Sequence, residues 1–333
     1  MANQSRLTLA VIVKDEAELL KGLLHHHREL YDEAVVVDTG SSDHSRKVAL
    51  EAGARVLDHA WNDDFAAARN LGLNQVDTPW VLQLDCDERI NPAHFPELRA
   101  LVQKPADSCY ELPINNYTAN SKGGEWCQVQ PGDGPWCSGA PGYMRTYPVR
   151  LFPNLPDLRF SGVIHENLTD GIGKTGLEIR RGTQIIHHTG LLDAEGLLRR
   201  DKLYTRLLKK KVSQTPNDLN GLTEYAKLLV SKGHLEIAEK MMKQGLDGEK
   251  TMGQNALANL LMVEIQARLG KMDLALERLT PTIHQHPNQL LCWIQASALY
   301  LVDGQVEKAQ LYLQQGRKLF PSSAVLKELE AKV

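Results

Sequence analysis

The chain has 333 residues, enough for one large domain or two ordinary domains with a substantial core. Its formal net charge is −3, and the near balance of acidic and basic residues argues against a nucleic-acid-binding protein. The five cysteines lack zinc-type spacing and demand no disulfide framework, although Cys127 and Cys137 could pair. The apolar run before Lys14 is too short for a membrane span and lacks a signal-peptide cleavage region. We therefore expect a cytoplasmic protein without a membrane span.

Strand and helix patterns alternate along the first half of the chain. The predicted strands are LTLAVIV (7–13), the start of EAVVVDTGSSD (33–43), ARVLDHAW (54–61) and WVLQLDCD (80–87), and the predicted helices span 16–30, 45–52 and 65–74. This alternation predicts a mostly parallel α/β sheet with binding groups at the carboxyl ends of its strands.

The stretch 115–145 has no periodicity and is rich in glycine, proline and aromatic residues. We interpret it as a long functional loop. Strand patterns then resume at VRLFPN (149–154) and TQIIHHTG (183–190).

From about residue 192 the periodicity is continuously helical, and a Gly-x4-Ala spacing recurs as Gly233/Ala238, Gly270/Ala275 and Gly304/Ala309. The glycines are 37 and 34 residues apart, so the first spacing needs a small insertion. A period near 34, with glycine in a turn and alanine between packed helices, is similar to tetratricopeptide repeats. Plain helical hairpins are the alternative.

These patterns predict an α/β domain over 1–190, a connecting helix over 191–213 and helical repeats over 214–333. The connecting segment is basic and amphipathic. We interpret it as a helix packed on the first half, with membrane-surface binding as the alternative.

Asp85 and Asp87 end the strand predicted over 80–87. Alternate side chains of a strand point to one side, so these carboxylates would repel each other unless a positive group lies between them. They suit a hard divalent cation such as Mg²⁺ or Mn²⁺, which also holds phosphate oxygens. A solvated pair of turn aspartates is the alternative.

Six blocks between residues 7 and 190 resemble the family 2 glycosyltransferases, which are inverting enzymes of the GT-A fold. The blocks are VIVKDE (11–16), VVVDTGSSD (35–43), WNDDFAAARNLGL (61–73), LQLDCDE (82–88), VRLFPN with FSGVIHE (160–166), and IIHHTG (185–190). The third and the later blocks are similar to the subgroup that carries tetratricopeptide repeats. The chain has Asp15 where the family usually has asparagine, and Cys86 where alanine is more usual. The resemblance implies a Rossmann-like GT-A domain, a nucleotide-sugar donor and a metal-binding Asp-x-Asp motif.

The resemblance also implies roles on the donor side. Asp38 and either Asp15 or Glu16 would accept hydrogen bonds from a uracil or ribose. Arg69 would face a carboxylate or phosphate, or else form a salt bridge to Asp63, Asp64 or Asp85. Asp85 would contact the ribose or metal region. Asp87 would be the principal metal ligand, and His188 could bind the metal or the diphosphate.

On the acceptor side, Glu166 is the first candidate for the base that takes the acceptor's proton, and His165 is the second. A structural ion pair is the alternative role for Glu166. His187 would be packed or exposed. Three aromatic residues of the predicted loop could stack on sugar or peptide or could anchor the loop itself, namely Trp126, Trp136 and Tyr143.

We therefore expect a metal-dependent transferase that moves a sugar from a UDP-sugar to a peptide or protein. The peptide preference rests on the concave surfaces that helical repeats form and on similarity to the bacteriocin-peptide glycosyltransferases. The alternatives are transfer to a lipopolysaccharide or lipid-linked saccharide, and a repeat scaffold whose transferase half is inactive. The repeats could equally mediate homodimerisation.

Overall fold

The computed structural model describes residues 6–119, 126–130, 134–137, 139–192, 194–248, 255–321 and 323–331. The chain divides into two compact units, Met1–Leu207 and Leu208–Val333. Helix α6 (Ala194–Gln214) contains the boundary between them. The limits at 190/191 and 213/214 that the sequence suggests remain a prediction.

A seven-stranded sheet forms the centre of the first unit. Four parallel strands come first in the chain, β1 (Leu7–Val13), β2 (Glu33–Asp38), β3 (Arg55–Asp58) and β4 (Trp80–Gln83). The helices that connect them are α1 (Ala17–His26), α2 (Ser45–Glu51) and α3 (Phe65–Leu73). Beside β4 lie β10 (Val149–Pro153), β6 (Ser108–Glu111) and β11 (Glu178–Arg181), and β10 is antiparallel to both of its neighbours. The predicted mostly parallel sheet is confirmed.

Burial on both faces explains why β1 reads as an uninterrupted apolar run. Leu7 and Leu9 on one face are fully buried, and Ala10 on the other is 3% exposed. Helices therefore cover both faces of the sheet, and the ends of its parallel strands remain the open edge where a ligand can bind.

A second, five-stranded sheet includes parts of the stretch interpreted as a loop. Its strands are β5 (Glu88–Ile90), β12 (Ile186–His188), β7 (Ile114–Thr118), β9 (Gly142–Thr146) and β8 (Trp126–Gln128), in that spatial order. The interpretation of 115–145 as one continuous loop is therefore wrong, because residues 115–118, 126–128 and 142–145 lie in strands. These strands have three to five residues each, which is too short for a clear alternation of apolar and polar positions. Two short helices, α4 (Phe95–Leu101) and α5 (Thr169–Thr175), also escaped prediction.

The second unit contains antiparallel helical pairs. Its helices are α7 (Leu219–Ser231), α8 (Leu235–Gly248), α9 (Ala256–Arg268), α10 (Met272–Gln285), α11 (Leu290–Val302), α12 (Val306–Leu319) and α13 (Ala324–Glu330).

The glycine and alanine positions of the repeat behave as predicted. Gly233, Gly270 and Gly304 lie in the turns within the pairs with φ of 81°, 75° and 77°, a conformation that favours glycine. The matching alanines are fully buried between helices. The insertion expected in the first spacing falls at 249–254, outside the described residues. Across the described part of the chain, no helix combines the length and the apolar character needed to cross a lipid bilayer.

Candidate active site

The two aspartates of the Asp-x-Asp motif lie in a turn and contact different partners. β4 ends at Gln83, and the backbone N–H of Glu88 closes the turn by donating to the carbonyl of Asp85 (3.0 Å). Strand alternation therefore does not set the directions of the two side chains, and the expectation that they point together from one strand is wrong. Asp85 contacts arginines, whereas Asp87 contacts a histidine.

Arg69 joins Asp85 to Glu166. Its Nη2 donates to Asp85 Oδ1 (2.9 Å) and its Nε donates to Glu166 Oε1 (2.6 Å). The side chains of Arg69 and Glu166 are only 7% and 11% exposed, so their contact is shielded from water, whereas Asp85 is 36% exposed. Of the three salt-bridge partners considered for Arg69, the structure shows Asp85. Glu166 makes the ion pair that was the alternative to its role as base.

The other two partners considered for Arg69 are engaged elsewhere. Asp64 accepts a hydrogen bond from the backbone N–H of Ala67 (2.9 Å) and so caps the first turn of α3. Asp63 accepts hydrogen bonds from Trp61 Nε1 (2.8 Å) and from Arg206 on α6 (2.6 Å).

Arg150 and Glu88 extend the same network, and the sequence analysis assigned neither a role. Arg150 on β10 donates from Nη2 to Glu88 Oε1 (2.6 Å) and to Asp85 Oδ2 (3.4 Å). Glu88 Oε2 accepts from the backbone N–H of Asp85 (2.9 Å). Both residues lie in sequence blocks that carry the family resemblance. Arg150 could have been identified from the sequence, because a charged residue inside an apolar strand is unusual.

The arginines decide the charge of Asp85. Burial alone would raise the pKa of this carboxyl, but Arg69 and Arg150 outweigh it and hold the pKa well below its usual range. Burial raises the pKa of Glu88, and Arg150 opposes that rise. Asp85 is therefore an ionised carboxylate whose two oxygens both face guanidinium groups.

Asp87 faces His188, which β12 brings beside the turn. His188 lies opposite Glu88 of β5 and Asn116 of β7 in the second sheet. Its Nε2 is 3.2 Å from Asp87 Oδ2, and its Nδ1 is 2.8 Å from Asn116 Oδ1. Burial lowers the pKa of His188, but the hydrogen bond and charge of Asp87 outweigh it, so the pKa is raised. Asn116 fixes the ring so that Nε2 points at Asp87.

The Asp87 carboxylate lies directly against Gly190, where any side chain would collide with it. A Cβ built on Gly190 would stand 1.9 Å from Asp87 Oδ2 and 2.9 Å from Nη2 of Arg200 on α6. The glycine of the HHTG block thus permits a close approach of backbone and carboxylate.

Asp87 and His188 could hold a divalent cation only together with further ligands. No group of three or more His, Cys, Asp or Glu side chains in the described residues is arranged to hold a metal ion. Asp85, a predicted ligand, directs both oxygens at arginines. Mg²⁺ at phosphate sites commonly takes one or two carboxylates and completes its shell with substrate phosphates and water. A carboxylate facing an oriented imidazole Nε2 fits such a partial ligand set.

Asp15 and Glu16 follow β1 in different surroundings. Asp15 is exposed, with φ of 53°, and its Oδ1 accepts from the backbone N–H and the hydroxyl of Ser42 (2.6 and 3.0 Å). The backbone N–H of Ser42 is the main group that lowers the pKa of Asp15. Glu16 is half-buried, and burial followed by the charge of Asp87 raises its pKa. Glu16 therefore lies close to Asp87, whereas Asp15 braces the turn after β2.

Asp38, at the end of β2, borders a cavity of about 310 Å³. Its Oδ1 accepts from the backbone N–H groups of Gly40 (2.9 Å) and Ser41 (2.7 Å). The cavity lies at the carboxyl ends of β2 and β3, and Arg46 and His59 also line it. Its position beyond the strand ends is that of a ligand crevice in a parallel sheet.

The remaining candidates lie around the second sheet and α6. His165 is exposed, has φ of 53°, and its ring centroid is 5.8 Å from that of Tyr204. His187 is buried, with Nδ1 2.7 Å from the Tyr117 hydroxyl, so it is the packed residue of the histidine pair.

The aromatic residues of the predicted loop contact the protein itself. Trp136 packs against His187 with ring centroids 4.9 Å apart, and Tyr143 packs edge-on against Tyr117 at 5.8 Å. The ring of Trp126 lies against Gly142. These contacts correspond to the anchoring role.

Comparisons with known proteins identify relatives of this chain. The family model described as "Glycosyl transferase family 2" matches residues 8–153. A TPR repeat-containing protein of Synechococcus elongatus is 30% identical over 328 residues, which cover 92% of this chain and 73% of that protein. An uncharacterized glycosyltransferase of Rickettsia felis is 24% identical over 86 residues, 26% of this chain and 30% of that protein.

Among solved structures, MamA of Desulfovibrio magneticus is 20% identical; the match covers 40% of this chain and 78% of the MamA chain, with a TM-score of 0.35. The Synechococcus relative is similar along almost the whole of this chain, and the matched family segment contains the turn with Asp85 and Asp87. The chain belongs to glycosyl transferase family 2, among members whose transferase domain is followed by tetratricopeptide repeats.

Proposed function

We propose that the protein is a metal-dependent, inverting hexosyltransferase that moves a sugar from a UDP-sugar to a peptide or protein. The observation that carries the proposal is the pair of Asp87 and His188. A carboxylate and an oriented imidazole meet there at the carboxyl edge of a family 2 transferase sheet, with room left by Gly190.

On the donor side, the cavity beside Asp38 would receive the nucleoside. A cation bound by Asp87 and His188 would supply the positive charge that stabilises the departing diphosphate. Asp85 would act indirectly, because its oxygens are taken by Arg69 and Arg150. Its function would be to fix Arg69 and, through Arg69, Glu166.

On the acceptor side, Glu166 would accept the proton of the attacking group. Arg69 holds its Oε1 at 2.6 Å, while Oε2 has no hydrogen-bond partner in the described part of the chain. One oxygen would therefore position the carboxylate and the other would take the proton. His165 is the second candidate.

The peptide acceptor is supported by the tetratricopeptide repeats, because stacked helical pairs form extended surfaces suited to polypeptides. Transfer to a saccharide acceptor would need no such surface. Label transferred from a UDP-sugar to a peptide library, compared with lipid-linked saccharides, distinguishes the two acceptor classes.

Calorimetry of UDP binding in Mn²⁺, Mg²⁺ or EDTA tests the donor site. We expect tight binding only with a divalent ion, and loss of that metal dependence in Asp87→Asn. Asp77→Asn is the matched control, because Asp77 is an exposed surface carboxylate paired with Arg55. Equal affinity in all three buffers would remove the metal from the mechanism. If UDP does not bind, GDP and dTDP are tested in the same buffers, and binding of none of the three would favour the inactive scaffold.

A further inference from the structure

Arg200 lies beside Asp87, although it follows all six blocks that carry the family resemblance. Helix α6 begins at Ala194, soon after the HHTG block, and Arg200 Nη2 donates to the carbonyl of Gly190. Arg200 Nη2 and Asp87 Oδ2 both lie within 3 Å of the point where a Gly190 Cβ would stand (2.9 and 1.9 Å). The Asp87 carboxylate and the Arg200 guanidinium are therefore close neighbours on the same side of Gly190.

Most N–H groups of the Arg200 guanidinium have no hydrogen-bond partner among the residues that the structure describes. An arginine offers five N–H donors. In the described part of the chain, Arg200 makes no ion pair, and its hydrogen bond goes to the Gly190 carbonyl. Arg69 and Arg150, by contrast, are each bound to two carboxylates. Arg200 is half-buried, and none of its unpaired N–H groups is sealed from solvent, so an anion can reach them.

The charge of Arg200 acts on the same region as the proposed cation site. Burial and the charge of Asp87 raise the pKa of Glu16, and Arg200 opposes them. Arg200 therefore lies close to both Glu16 and Asp87. An arginine that is near two carboxylates and yet forms a salt bridge with neither remains available to an incoming anion.

We propose that Arg200 binds the diphosphate of the nucleotide donor. The inference rests on the proposed function. The planar guanidinium matches two phosphate oxygens at once, and it lies beside Asp87, the carboxylate that contacts His188. The diphosphate would then lie between two positive groups, the cation and Arg200. Helix α6 would belong to the donor site.

Calorimetry with UDP, GDP, uridine and inorganic pyrophosphate in Mg²⁺ tests the proposal on the full chain. The variants are Arg200→Gln, Arg200→Lys and the control Lys202→Gln, which removes a charge from an exposed position of the same helix. Arg200→Gln should weaken UDP and pyrophosphate binding by about 10- to 100-fold, the loss expected for hydrogen bonds to a charged group, and leave uridine binding unchanged. Lys202→Gln should bind each of these ligands like the unmodified protein.

Each outcome separates this inference from the proposed function. UDP binding that is insensitive to Arg200→Gln would uphold the donor and overturn the role of Arg200. Arg200-dependent pyrophosphate binding without a preference for UDP over GDP would uphold Arg200 and reject the UDP donor. Equal losses for UDP and uridine, or no binding of UDP and pyrophosphate by the unmodified protein, would overturn the inference. If circular dichroism shows that Arg200→Gln is unfolded, weaker UDP binding by Arg200→Lys with unchanged uridine binding supports the inference, and unchanged UDP binding overturns it.

Discussion

Gly190→Ala should displace the Asp87 carboxylate without unfolding the protein. The new Cβ would meet Asp87 Oδ2 at 1.9 Å, and real Cβ contacts are hardly ever shorter than 3.0 Å, so the oxygen must retreat. Gly190 does not have positive φ, so alanine adds no backbone strain there. The retreat breaks the 3.2 Å contact with His188 Nε2. Misplacing one ligand in this way should weaken cation binding by about 10- to 100-fold.

Two measurements follow from that displacement. Electron paramagnetic resonance titration of Mn²⁺ in the presence of UDP reports the cation affinity. Nuclear magnetic resonance of the imidazole reports the pKa of His188 without metal. That pKa is raised in the unmodified protein because Asp87 outweighs burial, so it should fall when Asp87 withdraws and burial remains.

Gly173→Ala is the matched control, because a Cβ on this glycine of α5 meets nothing within 4 Å. It should keep the cation affinity and raise the free energy of unfolding by about 0.5–1 kcal/mol, the helical advantage of alanine over glycine. Unchanged Mn²⁺ affinity together with an unchanged His188 pKa in Gly190→Ala would refute the reasoning.

Three further predictions concern the network and the repeats. Glu166→Gln should keep its affinity for the UDP-sugar, because the amide oxygen can still accept a hydrogen bond from Arg69, but its transfer rate should fall by roughly 10²–10⁴-fold. Poor donor binding or unfolding of this variant would instead show that Glu166 is structural, and His165 would become the candidate base. The pKa of Asp85 is lowered in the folded state, so the stability that this carboxylate contributes is fully present above its unfolded pKa of about 3.9 and is lost progressively as the pH falls below that value. The free energy of unfolding of Asp85→Asn, measured with urea, should therefore change less with pH in that range than the free energy of unfolding of the unmodified protein. A chain ending at Val212 should bind UDP with metal but transfer poorly to a polypeptide; full transfer would assign the repeats to dimerisation instead.

The buried parallel strands could be predicted because burial on both faces leaves an unbroken apolar run. The strand expected over 7–13 is observed at Leu7–Val13. The strand expected over 80–87 ends at Gln83. The prediction was too long because the apolar pattern continues through Leu84 into a turn whose residues are also largely buried. The second sheet escaped detection because its strands are short and their partners are distant in sequence.

The site was predictable in its residue types but not in its contacts. Carboxylates after parallel strands indicated a binding edge. The partners of Asp85 could not be chosen from sequence, because Arg150 lies 65 positions away and a single charged residue in an apolar block has no period. The direction of Asp87 likewise depends on β12, whose pairing with β5 no local pattern specifies.

The pairing of β12 with β5 and β7 has a consequence for synthesis on the ribosome. His188 is 101 positions from Asp87 and 72 from Asn116, and Glu166 is 97 from Arg69. Contacts of such separation require closure of long loops, which slows folding. A nascent chain that has emerged only as far as residue 153, the end of the segment that the family model matches, contains β6 and β7 but lacks β11 and β12. Both strands would then expose edges able to pair with other chains, so nascent chains that stall there should be prone to aggregation.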